Sequence, residues 1–256
     1  MSKMFEYPYK IELISMEYSI ILFLIGATSL ISVFIGALGI SGFDWALVAA
    51  IEDGPVENLS AIGYVLSALA CIYALTAKQS LLNNKLALLW IPICIVFLGE
   101  EISWGQRIFD FSVPAVEQHN VQEEFNFHNL AIFQGGGLTK ASDLKSMLRA
   151  VMDIQFLFQG GFVFYFLVAP QLIRINLFRS VATVFGYKSP SPRLQIVTLA
   201  LLLLSYLLVA YTADESYKDR IVEVRELVIS AVILAYLAGF ALLSKTELPP
   251  EIRTLT

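Results

Sequence analysis

The sequence carries little charge for its length. Only 15% of its 256 residues are Asp, Glu, Lys or Arg, whereas 57% are hydrophobic. A soluble domain of this size does not need so much apolar surface, so the scarcity of charge indicates an integral membrane protein. The sequence also lacks a basic patch with groove-binding geometry, which argues against nucleic acid as a partner.

Cysteine and histidine are scarce as well. Cys71 and Cys94 are the only cysteines, and both fall inside long apolar stretches. They form neither a disulfide framework nor a CxxC metal site. With His119 and His128 as the only histidines, a metal cage of three histidines is excluded. The G-x-S-x-G motif of a serine nucleophile is also absent.

Long apolar runs dominate what is present, and each is close to the roughly 20 residues that cross a bilayer. Isolated strands would leave backbone groups unpaired in lipid, and a closed barrel would show short alternating segments, which the sequence lacks. We therefore predict an all-α membrane protein, a bundle of six transmembrane helices in a single domain over 1–256. The predicted spans are approximately 18–41, 56–77, 86–107, 150–172, 194–213 and 221–243.

The charges that do occur predict an orientation. Ten of the 17 Lys and Arg residues, but only five of the 22 Asp and Glu residues, fall on the side that carries both termini. The positive-inside rule then places both termini in the cytoplasm of a cell whose inner or plasma membrane holds the protein. On the same side, the arginines and aromatic residues of 174–188 predict an interfacial helix attracted to anionic lipid.

The acidic residues gather at the opposite membrane face. They begin or end five of the six predicted spans, and both histidines lie in the loop 108–149 on the same side. These acids are Glu52, Asp53, Glu57, Glu100, Glu101, Asp153, Asp214, Glu215, Glu223 and Glu226. The sequence therefore predicts one polar chamber at the extracytoplasmic face.

Glu100 and Glu101 lie deep for charged residues. If the third span begins near Leu86, Glu100 is about 21 Å into a hydrocarbon core about 30 Å thick. An ionised side chain at that depth costs several kcal/mol unless it is paired, protonated or hydrated. Arg107 follows two helical turns later and is the predicted partner. A buried Glu–Arg bridge that only fixes helix packing is the alternative.

The loop after the third span contains HNVQEEFNFHNL, residues 119–130. Its alternation of polar and apolar residues from 120 to 128 is typical of an extended chain. A helical reading is also open, and it places Glu124 and His128 four residues apart on one face. In either conformation, we expect the loop to fold back over the acidic helix ends as a lid or re-entrant segment.

Three polar blocks carry a family resemblance. GEEISWGQR at 99–107, N-x-Q-x-E-x-N-x-H-N at 120–129 and EDGPVEN at 52–58 resemble a family of bacterial multi-pass membrane proteins whose activity is uncharacterised. The resemblance covers about a quarter of the chain. It implies the membrane fold and the location but no activity.

The paired glutamates also resemble those of the CAAX-type membrane endopeptidases, which have E-E-x-x-x-R followed by F-x-x-x-H. Here Gly105 stands where the arginine is expected, and Arg107 comes two residues later. Phe125 precedes His128 by three residues instead of four, and no histidine follows. These departures leave only the paired glutamates in common.

Glutamates with one or two histidines are suitable ligands for Zn²⁺, Mn²⁺ or Fe. We predict Glu101, Glu124 and His128 as metal ligands, with Glu100, Glu101 and His128 as the catalytic set. A bound metal would generate a nucleophilic water, and Glu100 would act as general base. The residues predicted to bind substrate or support the site are Glu57, Trp104, Gln106, Arg107, Asn120, Gln122, Asn126, Asn129 and Glu226.

The resulting hypothesis is a metal-dependent hydrolase or transferase that acts on a lipid-linked substrate. One alternative is a cation- or proton-coupled transporter or channel, with Glu57, Glu101, Asp214 and Glu226 along its path. Against it, the cytoplasmic halves of the spans are nearly free of ionisable groups, and no inverted repeat is visible. The other alternative is a structural subunit of a membrane complex, in which the polar network only stabilises the fold.

Overall fold

The computed structural model describes residues 6–51, 54–77, 85–120, 123–127, 130, 143–144 and 153–246. Within these ranges the chain is helical and contains no strand. The helices are α1 (Glu6–Ala37), α2 (Asp44–Ala49), α3 (Pro55–Ala77), α4 (Lys85–Glu101), α5 (Gln106–Phe109), α6 (Pro114–Glu117), α7 (Ile154–Leu172, with a π-helical turn at Phe164–Val168), α8 (Asn176–Val184), α9 (Pro192–Tyr211) and α10 (Glu215–Thr246).

Four of these helices are long and apolar enough to cross a membrane. The segments are Tyr18–Ala37, Pro55–Thr76, Ile154–Leu172 and Pro192–Tyr211, which match the first, second, fourth and fifth predicted spans. The prediction of an all-helical membrane protein is confirmed to this extent. The third and sixth predicted spans are not among these four. Their helices are α4, which is only 17 residues long, and α10, which begins with several charged residues.

Helix α4 ends at Glu101, and not near residue 107 as the hydropathy predicts. Ser103 (φ 47°), Trp104 (φ 52°) and Gly105 (φ 86°) all adopt left-handed backbone conformations, which a right-handed helix cannot accommodate. Gly99 makes the bend possible, because a Cβ at this position would lie 2.9 Å from the Trp104 ring. Since the helix breaks here, the prediction that Glu100 and Arg107 share one helical face is wrong.

The core is built around α10, which packs against α1, α3 and α9. The closest approach is between α3 and α10, where small residues face each other. A Cβ on Gly63 would lie 2.1 Å from Ser230 Oγ, and that hydroxyl donates a 2.8 Å hydrogen bond to the Ser60 carbonyl. Small residues of this kind let membrane helices pack closely.

Helix α7 is held against the bundle differently. It packs on α9 near its π-helical turn, and it reaches α4 through large aromatic side chains. The space left between α3, α4, α7 and α10 is the cavity described below. The packing of these four helices therefore encloses a cavity.

Helix α8 confirms the helix predicted within 174–188. Its exposed apolar side chains recur at helical spacing, at Leu177, Val181 and Val184, whereas Ser180 and Thr183 bond back to the helix backbone. The Lys85 ammonium donates to the Val184 carbonyl at 2.9 Å, which joins this segment to the start of α4. An exposed apolar stripe opposite a polar face is typical of a helix that lies on a membrane surface.

Candidate functional site

A cavity of about 960 Å³ lies between α3, α4, α7 and α10. Its two ends differ in chemistry. The polar end is lined by residues from α3, α4, α7, α10 and the segment after α4, and all but two of them carry a carboxylate, a hydroxyl or an amide. These residues are Glu57, Glu100, Glu101, Glu124, Asn126, Phe127, Gln155, Ser216, Asp219, Arg220, Glu223 and Glu226.

The other end of the cavity is apolar and aromatic, with Tyr64, Trp90, Phe97, Phe158, Phe162, Tyr165 and Phe166 in its wall. Hydrogen bonds tie its deepest part together. Trp90 Nε1 donates to Tyr165 Oη at 3.0 Å, and the Tyr165 and Tyr236 hydroxyls are 3.0 Å apart. The Tyr236 hydroxyl donates in turn to the Lys188 carbonyl at 2.5 Å. These contacts satisfy the polar atoms of the aromatic wall and fix its shape.

Glu101 is the centre of the acidic group. It interacts electrostatically with Glu226, Glu57, Glu223 and Glu100, so carboxylates from α3, α4 and α10 meet around it. Like charges this close repel one another in a medium of low dielectric constant. A proton or a bound cation would offset this repulsion.

Glu226 also takes part in a polar network that joins three helices. Gln155 Nε2 donates to Glu226 Oε1 at 3.1 Å, and Gln159 Nε2 donates to Gln155 Oε1 at 3.1 Å. The Tyr206 hydroxyl then donates to Gln159 Oε1 at 2.6 Å, and the buried Arg225 guanidinium stacks on the Tyr206 ring at 4.7 Å. The network holds the Glu226 carboxylate at the cavity wall.

The two oxygens of Glu100 accept hydrogen bonds from the segment that follows α4. Trp104 Nε1 donates to Oε1 at 2.6 Å, and the Phe127 backbone N–H donates to Oε2 at 2.8 Å. The Trp104 and Phe127 rings also meet edge to face, with centroids 6.1 Å apart. Glu100 therefore attaches residues 123–127 to the end of α4.

Four further side chains hold this segment in place. Glu124 accepts hydrogen bonds from the Ser103 hydroxyl and from Asn126 Nδ2. Asn120 Nδ2 donates to the backbone carbonyl and to Oδ1 of Asn126, at 2.9 and 2.7 Å. The described part of this segment bends through Glu123 (φ 59°) and is neither extended nor helical. Both conformations proposed from the sequence are therefore wrong for residues 123–127, because side-chain hydrogen bonds decide the path.

Gln106 supports the same fold from the other side of the bend. Its carbonyl oxygen accepts from the Phe125 backbone N–H at 2.5 Å, and its amide donates to Glu117 Oε1 at 2.9 Å. Glu117 also accepts from Ser112 and from the Val113 backbone. Gln106, Trp104 and Asn120 thus support the site but do not line the cavity.

Of the predicted site residues, the structure brings Glu57, Glu100, Glu101, Glu124, Asn126 and Glu226 to one cavity wall. Gln122, His128, Asn129 and the side chain of Arg107 lie outside the described residues. Among the residues that are described, no group of three His, Cys, Asp or Glu side chains is placed to hold a metal ion. The predicted Glu101–Glu124–His128 metal site therefore stays a prediction, since it needs His128.

Several residues at the polar end were missing from the predicted site. Gln155 carried a usable signal, because a glutamine four residues before Gln159 inside an apolar span is costly unless it is bonded. Asp219 and Arg220 resemble surface charges in the sequence, yet both line the cavity. Burial raises the pKa of Asp219, and the Glu215 carboxylate raises it further.

No family model matches the chain, and neither the curated proteins nor the solved structures contain a match to it. The family resemblance of the three polar blocks accordingly stays a prediction.

Proposed function

We propose that the protein is a membrane-embedded, metal-dependent hydrolase or transferase that acts on a lipid-linked substrate. The observation that carries the proposal is the cavity of about 960 Å³, with carboxylates at one end and aromatic side chains at the other. A ligand that matches both ends is an amphiphile. Cavities of this size bury ligands of several hundred daltons, and a few placed polar groups fix their orientation.

The proposal includes a complete membrane topology. Helices α4 and α10 complete a bundle of six spans, with both termini in the cytoplasm of a cell whose inner membrane holds the protein. The segment after α4 forms the lid of the chamber at the extracytoplasmic face. The hydrogen bonds from Trp104 and Phe127 to Glu100 support a closed position of this lid.

The carboxylates around Glu101 are the feature that supports a bound metal ion. A divalent Zn, Mn or Fe ion would neutralise the repulsion among Glu101, Glu57, Glu223 and Glu226. Glu101 and Glu124 provide carboxylate ligands, and His128 follows the cavity-lining Phe127 directly in the sequence. The bound metal would supply a water of lowered pKa.

The structure suggests a revised division of roles among the glutamates. Both oxygens of Glu100 are engaged by the loop, so we assign it to positioning Phe127. Glu226 takes the role of general base, because it lines the cavity beside Glu101 and is oriented by Gln155. In hydrolysis it would accept a proton from water as the water oxygen bonds to the scissile centre and the leaving group departs with its electron pair.

The transport alternative receives less support from the cavity. Trp90 and Tyr165 line its deep end. Behind them, Tyr165 bonds to Tyr236, whose hydroxyl donates to the Lys188 carbonyl. A transporter needs access to its site from both sides. A pocket with one polar mouth and an aromatic floor fits catalysis better than passage.

The first test is metal content. The wild type, Glu101→Gln and His128→Ala are purified in detergent and measured by mass spectrometry, with Glu123→Gln as the matched control. Glu123 is adjacent to Glu124 but exposed and outside the cavity wall. We expect about one metal per chain in the wild type and in Glu123→Gln, and loss in the other two. A well-folded wild type without metal would overturn the mechanism.

The second test searches a whole lipid mixture for turnover. The protein is incubated with a bacterial lipid extract in ¹⁸O-labelled water, and products are searched by mass spectrometry. Hydrolysis places one ¹⁸O atom in a product, and this label should be lost in Glu226→Gln. If no product of any lipid class carries ¹⁸O, the protein is not a hydrolase, and transfer of a group to another acceptor is the remaining reaction.

A further inference from the structure

The wall of the cavity between α4 and α7 is crossed by two aromatic pairs. Phe97 and Phe158 meet edge to face with centroids 4.9 Å apart, and Trp90 and Tyr165 do the same at 5.1 Å. Each pair is seven residues from the other along both helices, in opposite directions. The two pairs are therefore about 10 Å apart along antiparallel helices.

Between the two pairs, α7 contributes a glycine to the wall. Gly161 lies midway on α7, it lines the cavity, and a Cβ placed on it would meet no atom within 4 Å. Ile93 of α4 lies opposite in the same wall. A gap bounded above and below by aromatic rings, with only a glycine on its α7 side, is a window.

The window opens toward the outside of the bundle. Leu89, Val96 and Leu157 line the cavity and yet remain 41%, 46% and 51% exposed, so the cavity reaches the outer surface beside them. The other exposed side chains nearby, including Leu88, Ile95 and Phe164, are apolar too. Because α7 is long and apolar enough to span a membrane, this surface faces hydrocarbon and not water.

From this geometry we infer that the cavity is loaded sideways from the bilayer, and that its ligand is a lipid whose hydrocarbon chain enters through the window between α4 and α7. The inference rests on the proposed function and deepens it. The chain lies among Trp90, Phe158 and Phe162, and the head group reaches Glu101 and Glu226 at the polar end. A water-soluble substrate would have no need of an apolar window.

Photo-labelling in a bilayer tests the inference directly. The full chain is reconstituted into phosphatidylethanolamine–phosphatidylglycerol vesicles that contain a phosphatidylglycerol with a diazirine in one acyl chain. After irradiation, labelled peptides are mapped by mass spectrometry. We expect label on cavity residues such as Ile93 and Phe162, in addition to the outward-facing Leu88 and Ile95 that any surrounding lipid reaches.

Two glycines give a matched pair of variants. Gly161→Trp fills the window, whereas Gly160→Trp adds the same ring one residue away, outside the cavity wall and also in open space. We expect Gly161→Trp to lower cavity labelling at least about fivefold, equivalent to about 1 kcal/mol, and Gly160→Trp to leave it unchanged. Labelling of Ile95 serves as the internal standard, and Gly161→Leu provides a second blocking variant if the tryptophan prevents folding.

The outcomes separate this inference from the proposed function. Cavity labelling that Gly161→Trp blocks supports the window even if no lipid is turned over. Labelling confined to Leu88 and Ile95, or equal cavity labelling in both tryptophan variants, overturns the window. In that case the metal and ¹⁸O measurements still decide the enzyme proposal independently.

Discussion

At the scale of single residues, two adjacent glutamates have different environments. Glu100 is used by the loop, through Trp104 and the Phe127 backbone, whereas Glu101 faces the other cavity carboxylates. The sequence could show that both are unusual at this depth, but not which one is engaged. The difference arises because adjacent helical residues point about 100° apart, one toward the loop and one toward α3 and α10.

The role of Glu100 leads to a prediction about loop dynamics. Glu100→Gln replaces a charged double acceptor by an amide whose NH₂ group cannot accept a hydrogen bond. Hydrogen bonds to charged groups contribute about 1.5–3 kcal/mol, so a loss of about 2 kcal/mol should speed amide exchange of Phe127 by about 30-fold. Hydrogen–deuterium exchange of the 123–127 peptide measures this. Glu123→Gln is the control. If amide exchange of Phe127 is equally slow in both variants, Glu100 does not attach the loop to α4.

The position of Glu101 leads to the opposite expectation for stability. Glu101→Gln replaces a carboxyl that is buried among other carboxylates by an amide that carries no charge in any state, so the metal-free protein should become more stable. A gain of about 1 kcal/mol corresponds to a rise in Tm of about 2–4 °C for a chain of this size. The same variant should lose activity, as is common when a strained functional residue is removed.

Thermal unfolding in EDTA, followed by intrinsic fluorescence, checks this expectation. Glu123→Gln again serves as the control and should melt with the wild type. If Glu101→Gln melts below the wild type under these conditions, Glu101 is a structural residue, and the repulsion inferred around it does not govern stability.

At the scale of helices, the sequence predicts which helices form better than it predicts where they end. Apolar runs near 20 residues identified the segments that became α1, α3, α7 and α9, because bilayer thickness sets their length. The end of α4 at Glu101 was missed, since only Gly105 among the next four residues signals a break, while Ser103 and Trp104 adopt positive φ in response to tertiary contacts. A local pattern cannot report a contact that forms across the fold.

The cavity, too, was predicted only in part. Five of the ten predicted acids, Glu57, Glu100, Glu101, Glu223 and Glu226, do converge, because they lie near the ends of helices that pack side by side. The aromatic half was not predicted. Trp90, Phe158 and Tyr165 look like ordinary core residues in sequence, and only the packing of α7 away from α4 turns them toward a common space.

The contact between α3 and α10 supports a prediction at this scale. Gly63→Ala puts a Cβ within 2.1 Å of Ser230 Oγ, so the Ser230 hydroxyl must turn away from the Ser60 carbonyl or the helices must move apart. Overpacking of this kind costs about 1–3 kcal/mol. Gly239→Ala is the matched control on α10, because a Cβ there meets nothing within 4 Å. Denaturation of the purified proteins should rank Gly63→Ala lowest.

A double variant checks the cause. In the Ser230→Ala background the clashing oxygen is gone, so adding Gly63→Ala should cost less than it does in the wild type. Ser230→Ala alone should cost about 1 kcal/mol, for its hydrogen bond to the Ser60 carbonyl. If the two effects simply add, the close approach of Gly63 and Ser230 is not what limits helix packing.

At the scale of the whole molecule, the acidic end of the cavity and two basic residues lie at opposite ends of the helix bundle. The acidic end of the cavity lies where α4 ends and α10 begins, at Glu101 and Glu226. Lys85 and Lys188 lie toward the opposite end. The Lys85 ammonium bonds to Val184 of α8, and the Lys188 carbonyl bonds to the Tyr236 hydroxyl. If basic residues face the cytoplasm, the polar mouth opens on the outer side.

The orientation can be measured with single cysteines. Cys71 and Cys94 are buried and should give little background, while Ser41 and Ser189 are exposed at opposite ends of the bundle. In intact bacterial cells, an impermeant maleimide should label Ser41→Cys and spare Ser189→Cys. In cells opened by sonication both should react, which controls for access and expression. Labelling of Ser189→Cys alone in intact cells would invert the topology. The carboxylate end of the cavity would then face the cytoplasm, and its substrates would have to be lipids of the inner leaflet.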